Sequence, residues 1–315
     1  MSGPGYAFVF PGQGSQKVGM LSAAQQNFPV VGETFAQASD AIGYDMWELV
    51  TQGPQDTLNL TTVTQPVLLT CSVALWRAWR CEGGLPPAVM AGHSLGEFSA
   101  LVCAGAVGFQ DAVRLVQQRG EFMQTAVPVG EGAMAAIIGL GDEAVNTVCA
   151  QVAAGIHRVV AAVNYNSPGQ VVIAGHADAV EAAIDALKEA GAKRAMPLPV
   201  SAPFHTELMQ PAGERLAQAL AEIPIGMPDI PVIHNVHAST ESEPERIRQL
   251  LVQQIYSPVQ WTRCVAAIRD RQLQHMVECG PGSVLSGLNK RIDKTIHSYT
   301  LEEPDALQAA LANLS

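Results

Sequence analysis

The residues Gly92-His93-Ser94-Leu95-Gly96 form a G-x-S-x-G pattern, which can present a serine as a nucleophile. An apolar run at 88–91 predicts a buried strand before it, and 95–103 predicts a helix after it. On such a sharp strand-to-helix turn the serine is exposed, and N–H groups at the helix start face the group that it attacks. The alternative is an ordinary turn whose serine only caps the helix.

A serine hydroxyl needs a general base, and His205 is the histidine that its surroundings single out. It follows Ser201-Ala202-Pro203-Phe204, a stiff apolar loop that can hold an imidazole in one place. The alternative is a solvated loop histidine without a catalytic role. His234 and His237 are three residues apart on an apparent strand, so we expect them to face opposite sides and we reject a metal pair.

One charged side chain falls on the apolar face of the helix predicted at 111–125. Ala112, Val116 and Met123 form the apolar stripe of this helix, and Arg119 occupies the gap between the last two. Because a charge on a buried face is costly unless it is paired, Arg119 needs an anionic partner. That partner is either a protein carboxylate or a substrate carboxylate held by two guanidinium N–H groups, and the spacing leaves both open.

The sequence contains no evident acidic third member for a Ser-His pair. Glu97 lies in the first turn after Ser94, where the helix dipole favours an acidic residue in any case. It is too close along the helix to orient a base beside Ser94, so the sequence leaves the orienting group of the base unassigned.

The composition narrows the class of protein. A chain of 315 residues with 48% hydrophobic and 15% charged residues is long and apolar enough for a large globular core. The net charge of −11 argues against general nucleic-acid binding. The six cysteines form no C-x-x-C pair, no apolar run reaches the ~20 residues that span a bilayer, and Met1–Phe10 lacks a basic secretory start. We therefore expect a soluble, cytoplasmic protein without a membrane partner.

Alternating strands and helices predict a mainly parallel sheet covered by helices. The loop after the first strand, at 6–10, is not a dinucleotide fingerprint, because Lys17 stands where the third glycine would be. The other elements predicted for this part are helices at 67–80, 111–125, 244–255, 259–270 and after Gly282, and strands at 230–236 and 275–278.

A second pattern occupies the middle of the chain. It predicts a β-α-β-β-α-β order, which is the ferredoxin-like arrangement. Its elements are expected at 133–139, 142–154, 158–163, 170–174, 177–190 and 194–198. The predicted domains are therefore a large α/β catalytic subdomain at 1–127 and 200–315 and a small inserted subdomain at 128–199.

Together, these pieces resemble the malonyl-CoA:acyl carrier protein transacylase family of acyltransferases. The resemblance runs in order from about residue 6 to 295. The motifs that carry it are Phe10-Pro11-Gly12-Gln13-Gly14-Ser15-Gln16, Gly92-His93-Ser94-Leu95-Gly96-Glu97, Gln118-Arg119-Gly120 with Met123, Asn164-Tyr165-Asn166-Ser167-Pro168-Gly169-Gln170, Pro203-Phe204-His205, Gln254 before Tyr256-x-Pro258-Val259-Gln260-Trp261, and Gly280-Pro281-Gly282.

The resemblance implies a large α/β-hydrolase-like subdomain with an inserted ferredoxin-like one. It also implies a ping-pong transfer through a malonyl ester of Ser94, with His205 as the base and later the acid. The N–H groups of Gln13 and Leu95 would form the oxyanion hole. The main-chain carbonyl of Gln254 would orient His205 in place of an acidic residue.

By the same resemblance, Arg119 would hold the free carboxylate of malonate, and Met123 and Phe204 would line the acyl site. The bulk of Phe204 is expected to favour malonyl over the branched methylmalonyl group. The implied partners are malonyl-CoA and an acidic holo acyl carrier protein. We also expect no cofactor, no metal and a monomeric enzyme. Candidate basic docking residues are Lys290, Arg291, Lys294, Arg263, Arg269 and Arg271, although ordinary solvated helix charges are an equal alternative.

Three other functions compete. A freestanding polyketide-synthase acyltransferase would use the same site on a different carrier. A serine thioesterase or hydrolase would use the same turn but release free malonate, and the lack of an evident acidic triad member counts against it. A non-catalytic carrier-binding module should have lost Ser94, His205 or Arg119, and all three are present.

Overall fold

Two β-sheets divide the chain, of which a computed structural model describes residues 5–200 and 202–314. The first sheet is parallel, and from edge to edge its strands are β7 (Val232–Ile233), β2 (Val89–Gly92), β1 (Tyr6–Phe10), β8 (His275–Glu278) and β9 (His297–Thr300). The second is antiparallel, with the strands β4 (Val160–Ser167), β5 (Gln170–His176), β3 (Gly132–Ile138) and β6 (Arg194–Pro197). The predicted α/β class, with a mainly parallel sheet and a second, smaller subdomain, is confirmed.

Strand β1 lies at the centre of the parallel sheet and is buried along its whole length. Phe8 and Phe10 pack into one core with Trp79, while Ala7 and Val9 point into a second core on the other face. Burial on both faces explains why this strand has a continuous apolar sequence instead of an alternating one.

Helices cover both faces of this sheet, and none among the described residues is long and apolar enough to cross a membrane. The helices of the larger part are α1 (Ser22–Asn27), α2 (Pro29–Ile42), α3 (Met46–Gln52), α4 (Gln55–Leu58), α5 (Thr61–Cys81), α6 (Leu95–Cys103), α7 (Phe109–Gln124), α10 (Gln210–Ala221), α11 (Pro244–Ile255), α12 (Trp261–Arg269), α13 (Val284–Ile292) and α14 (Pro304–Leu314), with a short 3-10 turn at Glu207–Met209.

The start of α5 differs from the prediction, because the helix begins at Thr61 and not at Val67. Pro66 lies inside it, although proline cannot donate the helical hydrogen bond and is expected near a helix start. Most residues of α5 are buried, so packing outweighs the loss of one hydrogen bond. The patterns gave no prediction for α1 to α4, β9 or α14.

The smaller part has the predicted β-α-β-β-α-β order. Between its strands lie α8 (Asp142–Ile156) and α9 (Ala177–Glu189), and these helices pack on the sheet around a hydrophobic core of their own. The domain limits at 127/128 and 199/200 stay predictions, and their outer ends at 1 and 315, like Ser201, lie outside the described residues.

Strand β4 joins the two parts. The main-chain N–H of Val259, just before α12, donates to the Val163 carbonyl at 2.8 Å, and the N–H of Tyr165 donates to the Val259 carbonyl at 3.0 Å. His93 Nε2 lies 2.8 Å from Asn166 Oδ1. The small sheet is therefore hydrogen-bonded directly to the turn that carries Ser94.

The strand predicted at 230–236 is wrong in extent, since β7 contains only Val232 and Ile233. The chain turns back at His234, whose carbonyl accepts from the N–H of Ala238 at 2.9 Å. The rings of His234 and His237 consequently lie 6.0 Å apart between centroids and do not face opposite sides, which corrects our expectation. Among the described residues no group of three His, Cys, Asp or Glu could hold a metal ion.

Candidate active site

Ser94 stands at the turn between β2 and α6, and its neighbouring glycines make that turn possible. A Cβ added to Gly96 would lie 2.0 Å from the Phe10 carbonyl oxygen, and one added to Gly92 would lie 1.8 Å from the main chain of Gly96. The φ of Ser94 is 50°, a value that residues other than glycine seldom adopt. Its side chain makes no helix-capping hydrogen bond, so the alternative that Ser94 only caps α6 is wrong.

His205 faces this serine, with its Nε2 at 2.9 Å from the Ser94 Oγ. Its Nδ1 lies 2.9 Å from the main-chain carbonyl oxygen of Gln254. Because a carbonyl only accepts, Nδ1 carries the proton and Nε2 is left to accept from the serine hydroxyl. The residue is 5% exposed and has a φ of 64°, which rules out the alternative of a solvated loop histidine.

Burial and, as the second cause, the nearby charge of Arg119 lower the pKa of His205 from 6.5 to about 3. The hydrogen bond to the Gln254 carbonyl opposes this shift. The imidazole is therefore neutral at neutral pH, which is the form that can accept a proton from a serine.

Arg119 is 1% exposed on α7, on the face that the spacing predicts. Its Nη1 donates to Gln65 Oε1 at 2.7 Å, and its Nη2 donates to Gln254 Oε1 at 2.9 Å and to Ser94 Oγ at 3.3 Å. Its Cζ lies 5.1 Å from the centre of the Phe98 ring. Burial lowers the pKa of the guanidinium to about 10, against the opposing charge of Glu97, so it stays charged at neutral pH.

The guanidinium makes no ion pair with a carboxylate within the described part of the chain. Its Nε is buried and has no hydrogen-bond partner there. Of the two partners that the sequence left open, a protein carboxylate is not found among the described residues, whose groups supply two amide oxygens and the Ser94 hydroxyl.

Glu97 is fully buried, and none of its hydrogen bonds within the described part of the chain goes to His205. Its Oε1 lies 2.7 Å from His234 Nδ1, and its Oε2 accepts from the N–H of Asn235 at 2.9 Å and from Gln254 Nε2 at 2.8 Å. The last of these places Glu97 one side chain away from Arg119.

Asn235 holds the serine turn from the other side. Its Oδ1 accepts from the main-chain N–H of Ser94 at 2.8 Å, and its Nδ2 donates to the Gly92 carbonyl at 2.6 Å. These two bonds span the turn and fix the main chain that carries the serine.

The two expected oxyanion donors lie beside this turn. Leu95 is the first residue of α6, and the helix does not use its main-chain N–H. The loop of Gln13 packs so closely that a Cβ on Gly12 would lie 2.5 Å from the His93 carbonyl oxygen. Both loops follow neighbouring parallel strands, whose carboxyl ends meet at one edge of the sheet.

Met123 and Phe204 are buried in the larger core. The Sδ of Met123 lies 3.8 Å from Gln65 Nε2, so it touches a residue that holds Arg119. Phe204 is adjacent to His205 in the chain, and no hydrogen bond or ring contact joins it to Ser94 or Arg119 in the described residues.

The acyl transferase domain family matches residues 7–311 of the chain. The chain belongs to this family. It is 58% identical over 306 residues to the malonyl CoA-acyl carrier protein transacylase of Salmonella typhimurium, a match that covers 97% of this chain and 98% of that protein.

Solved structures of this acyl transferase family agree in fold. An acyl carrier protein S-malonyltransferase from Vibrio cholerae superposes with a TM-score of 0.95 at 54% identity, over 97% of this chain and 99% of that one. A malonyl-transacylase solved with its type II PKS acyl carrier protein, named PlMCAT:AntF, gives a TM-score of 0.96 at 53% identity, over 98% and 99% of the two chains.

Sequence reasoning missed two side chains at the centre of this candidate site, Gln65 and Asn235. Gln65 was missed because the helix was predicted to begin after it, at Val67. A single glutamine in an otherwise apolar helix can indicate a buried polar contact, and this could have identified it. Asn235 directly follows β7, a parallel strand, and the loops after such strands commonly carry binding groups.

Proposed function

We propose that the chain transfers a malonyl group from malonyl-CoA to the phosphopantetheine thiol of an acyl carrier protein by a ping-pong mechanism. The observation that carries the proposal is the buried Arg119 guanidinium, whose Nη2 lies 3.3 Å from the Ser94 Oγ. A carboxylate anchor beside a serine–histidine pair suits an acyl group with a free carboxylate. The printed names of close relatives, among them the Salmonella typhimurium transacylase, support the same reaction.

In the first half-reaction, His205 Nε2 accepts the hydroxyl proton as Ser94 Oγ attacks the thioester carbon. The developing oxyanion accepts hydrogen bonds from the N–H groups of Gln13 and Leu95. Collapse of the tetrahedral intermediate breaks the carbon–sulfur bond, and His205 returns the proton to the CoA thiolate. Malonyl-Ser94 and free CoA are the products.

In the second half-reaction the carrier thiol replaces CoA. His205 takes its proton, the sulfur attacks the ester carbonyl, and the same N–H groups hold the oxyanion. When the carbon–oxygen bond breaks, His205 gives the proton back to Ser94 Oγ. The carbonyl of Gln254 keeps the imidazole in the tautomer that both steps require.

Arg119 supplies the preference for malonyl over acetyl groups. Its buried Nε has no partner among the described residues, and Nη2, which lies on the same edge of the guanidinium, makes only a long bond of 3.3 Å to Ser94 Oγ besides its bond to Gln254. Together with the positive charge, these two donors suit a carboxylate. An acetyl group would leave this buried charge without an anion. Met123 and Phe204 are proposed to shape the surrounding acyl pocket.

The carrier is proposed to dock on α13 and its neighbour α12. Helix α13 packs against β4, at the junction of the two parts, and carries basic residues at its end. Arg269 is a weaker candidate than the sequence suggests, because it pairs with Asp293 at 2.6 Å. The exposed candidates are Lys290, Arg291, Lys294, Arg263 and Arg271.

The carrier of fatty acid synthesis is the proposed acceptor. A polyketide carrier is the second candidate, because the relative in the PlMCAT:AntF complex binds a type II PKS carrier at 53% identity to this chain. We further infer a cytoplasmic monomer, in agreement with the free state of all six cysteines, and the domain division at 128–199.

Intact-protein mass spectrometry tests the proposal. Wild type and Ser94→Ala are mixed with malonyl-CoA, with and without holo acyl carrier protein. We expect a malonyl adduct on the wild type only, discharged by the carrier. Release of CoA and free malonate without an adduct would instead indicate a hydrolase, and the absence of both adduct and CoA release would indicate a binding module.

A further inference from the structure

Glu97 is a buried carboxylate that has no role in the transfer mechanism. Its side chain is fully buried and receives hydrogen bonds from His234, Asn235 and Gln254. Burying a carboxylate is costly even when it is fully hydrogen-bonded. Glu278, the other fully buried acid among the residues that the structure describes, accepts from the N–H groups of Leu285 and Ser286 at the start of α13 and has an evident structural role.

Glu97 fixes the direction of the Gln254 carboxamide together with the Ser94 main-chain carbonyl, because Nε2 donates to both, at 2.8 and 3.1 Å. A carboxylate only accepts hydrogen bonds and a guanidinium only donates them. The amide between them therefore has one matching orientation, with Nε2 towards Glu97 at 2.8 Å and Oε1 towards Arg119 at 2.9 Å. A reversed amide would face an acceptor with an acceptor and a donor with a donor.

We propose that Glu97 is a positioning residue that sets acyl selectivity by holding Arg119 through the Gln254 side chain. The intervening amide lets the negative charge balance the buried guanidinium without occupying it in a direct ion pair. Arg119 thus keeps its Nε and the N–H of Nη2 that reaches towards Ser94 for the acyl carboxylate. This inference rests on the proposed malonyl transfer.

The first test is Glu97→Leu, which keeps a side chain of similar length but removes both acceptor oxygens. Gln254 Nε2 then loses its acceptor at 2.8 Å and keeps only the Ser94 carbonyl at 3.1 Å, so the amide that holds Arg119 is no longer fixed. Because the guanidinium loses its fixed acceptor, it shifts away from the position that binds malonate. We expect the ratio of kcat/KM for malonyl-CoA to that for acetyl-CoA, measured in the acylation of Ser94, to fall about tenfold or more, mainly through KM.

Gln254→Met is the second variant and carries the test if the first does not fold. It keeps the main-chain carbonyl for His205 and most of the side-chain volume, but removes the amide. The same selective loss is expected. The double variant should lose no more selectivity than the worse single one, because both changes interrupt one chain of contacts.

Glu278→Leu is the matched control, a buried acid changed to leucine outside this chain of contacts. It should lower the melting temperature without changing the malonyl-to-acetyl ratio. A parallel fall in both substrates for the Glu97 and Gln254 variants would mean a merely structural role and overturn the inference. If the wild type itself forms no malonyl adduct, the proposed function fails first, so the two failures are distinguishable.

Discussion

Replacing Arg119 by alanine should abolish the preference for malonyl over acetyl groups. The guanidinium is 1% exposed, so solvent does not screen its interaction with a bound carboxylate. Two charge-assisted hydrogen bonds, at about 1.5 kcal/mol each, contribute about 3 kcal/mol. Since ~1.4 kcal/mol corresponds to a factor of ten, kcat/KM for malonyl-CoA should fall roughly 150-fold.

Acetyl-CoA should behave differently with the same variant. An acetyl group leaves the buried charge of Arg119 unpaired in the wild type, and the alanine variant has no such charge. Acetylation of Ser94 should therefore persist or rise. The two rates are compared by the time course of the adduct in intact-protein mass spectrometry, with thermal denaturation as the check on folding.

Equal losses for both substrates would refute this reasoning. They would mean that Arg119 acts by holding Gln65 and Gln254 in place rather than by binding the acyl carboxylate. Arg119→Lys separates the two roles further, because lysine keeps the charge but has no planar fork with which to contact two amides and a carboxylate at once.

Three further predictions concern proton transfer, acyl size and the carrier. Since the pKa of His205 is lowered to about 3, the acidic limb of the pH profile of kcat/KM should lie well below pH 6.5. Malonyl-pantetheine lacks the CoA phosphates, so measuring it beside malonyl-CoA excludes their titration as the cause of a limb. A limb near pH 6.5 with both malonyl-CoA and malonyl-pantetheine would contradict the assignment. As the pH falls below 6.5, His205 becomes protonated in the unfolded chain before it does in the folded chain. The contribution of His205 to the free energy of unfolding therefore decreases as the pH falls. Phe204→Ala should raise turnover of methylmalonyl-CoA relative to malonyl-CoA, whereas comparable turnover of the two by the wild type would show that Phe204 does not select. Reversing the charges of Lys290 and Arg291 to glutamate should raise the KM for the carrier protein and spare the malonyl-CoA half-reaction, and unchanged carrier kinetics would remove α13 from the docking surface.

The parts of the fold that follow from local pattern could be predicted from the sequence. The serine turn follows from its glycines, the burial of Arg119 from helical spacing, and the small subdomain from its order of elements. The first two depend on residues within one or two neighbouring elements, and the third depends on the order of six elements that each have a local pattern.

Features that depend on packing between residues far apart in the sequence could not be predicted from local patterns. Helix α5 continues through Pro66 because both its faces are buried, and β7 stops at Ile233 because the chain turns back at once. The contacts of Gln65 and Asn235 with Arg119 and Ser94 join residues that are 54 and 141 positions apart, and periodicity carries no information at that distance.

The same long separations determine when the chain becomes reactive during its synthesis. Ser94 precedes His205 by 111 residues and Gln254 by 160. At a ribosomal rate of ~5–20 residues per second, the serine is made roughly 8 to 32 s before the group that orients its base. A nascent or prematurely terminated chain therefore carries an inert serine, and acyl-CoA is consumed only by chains that have been completed through α11.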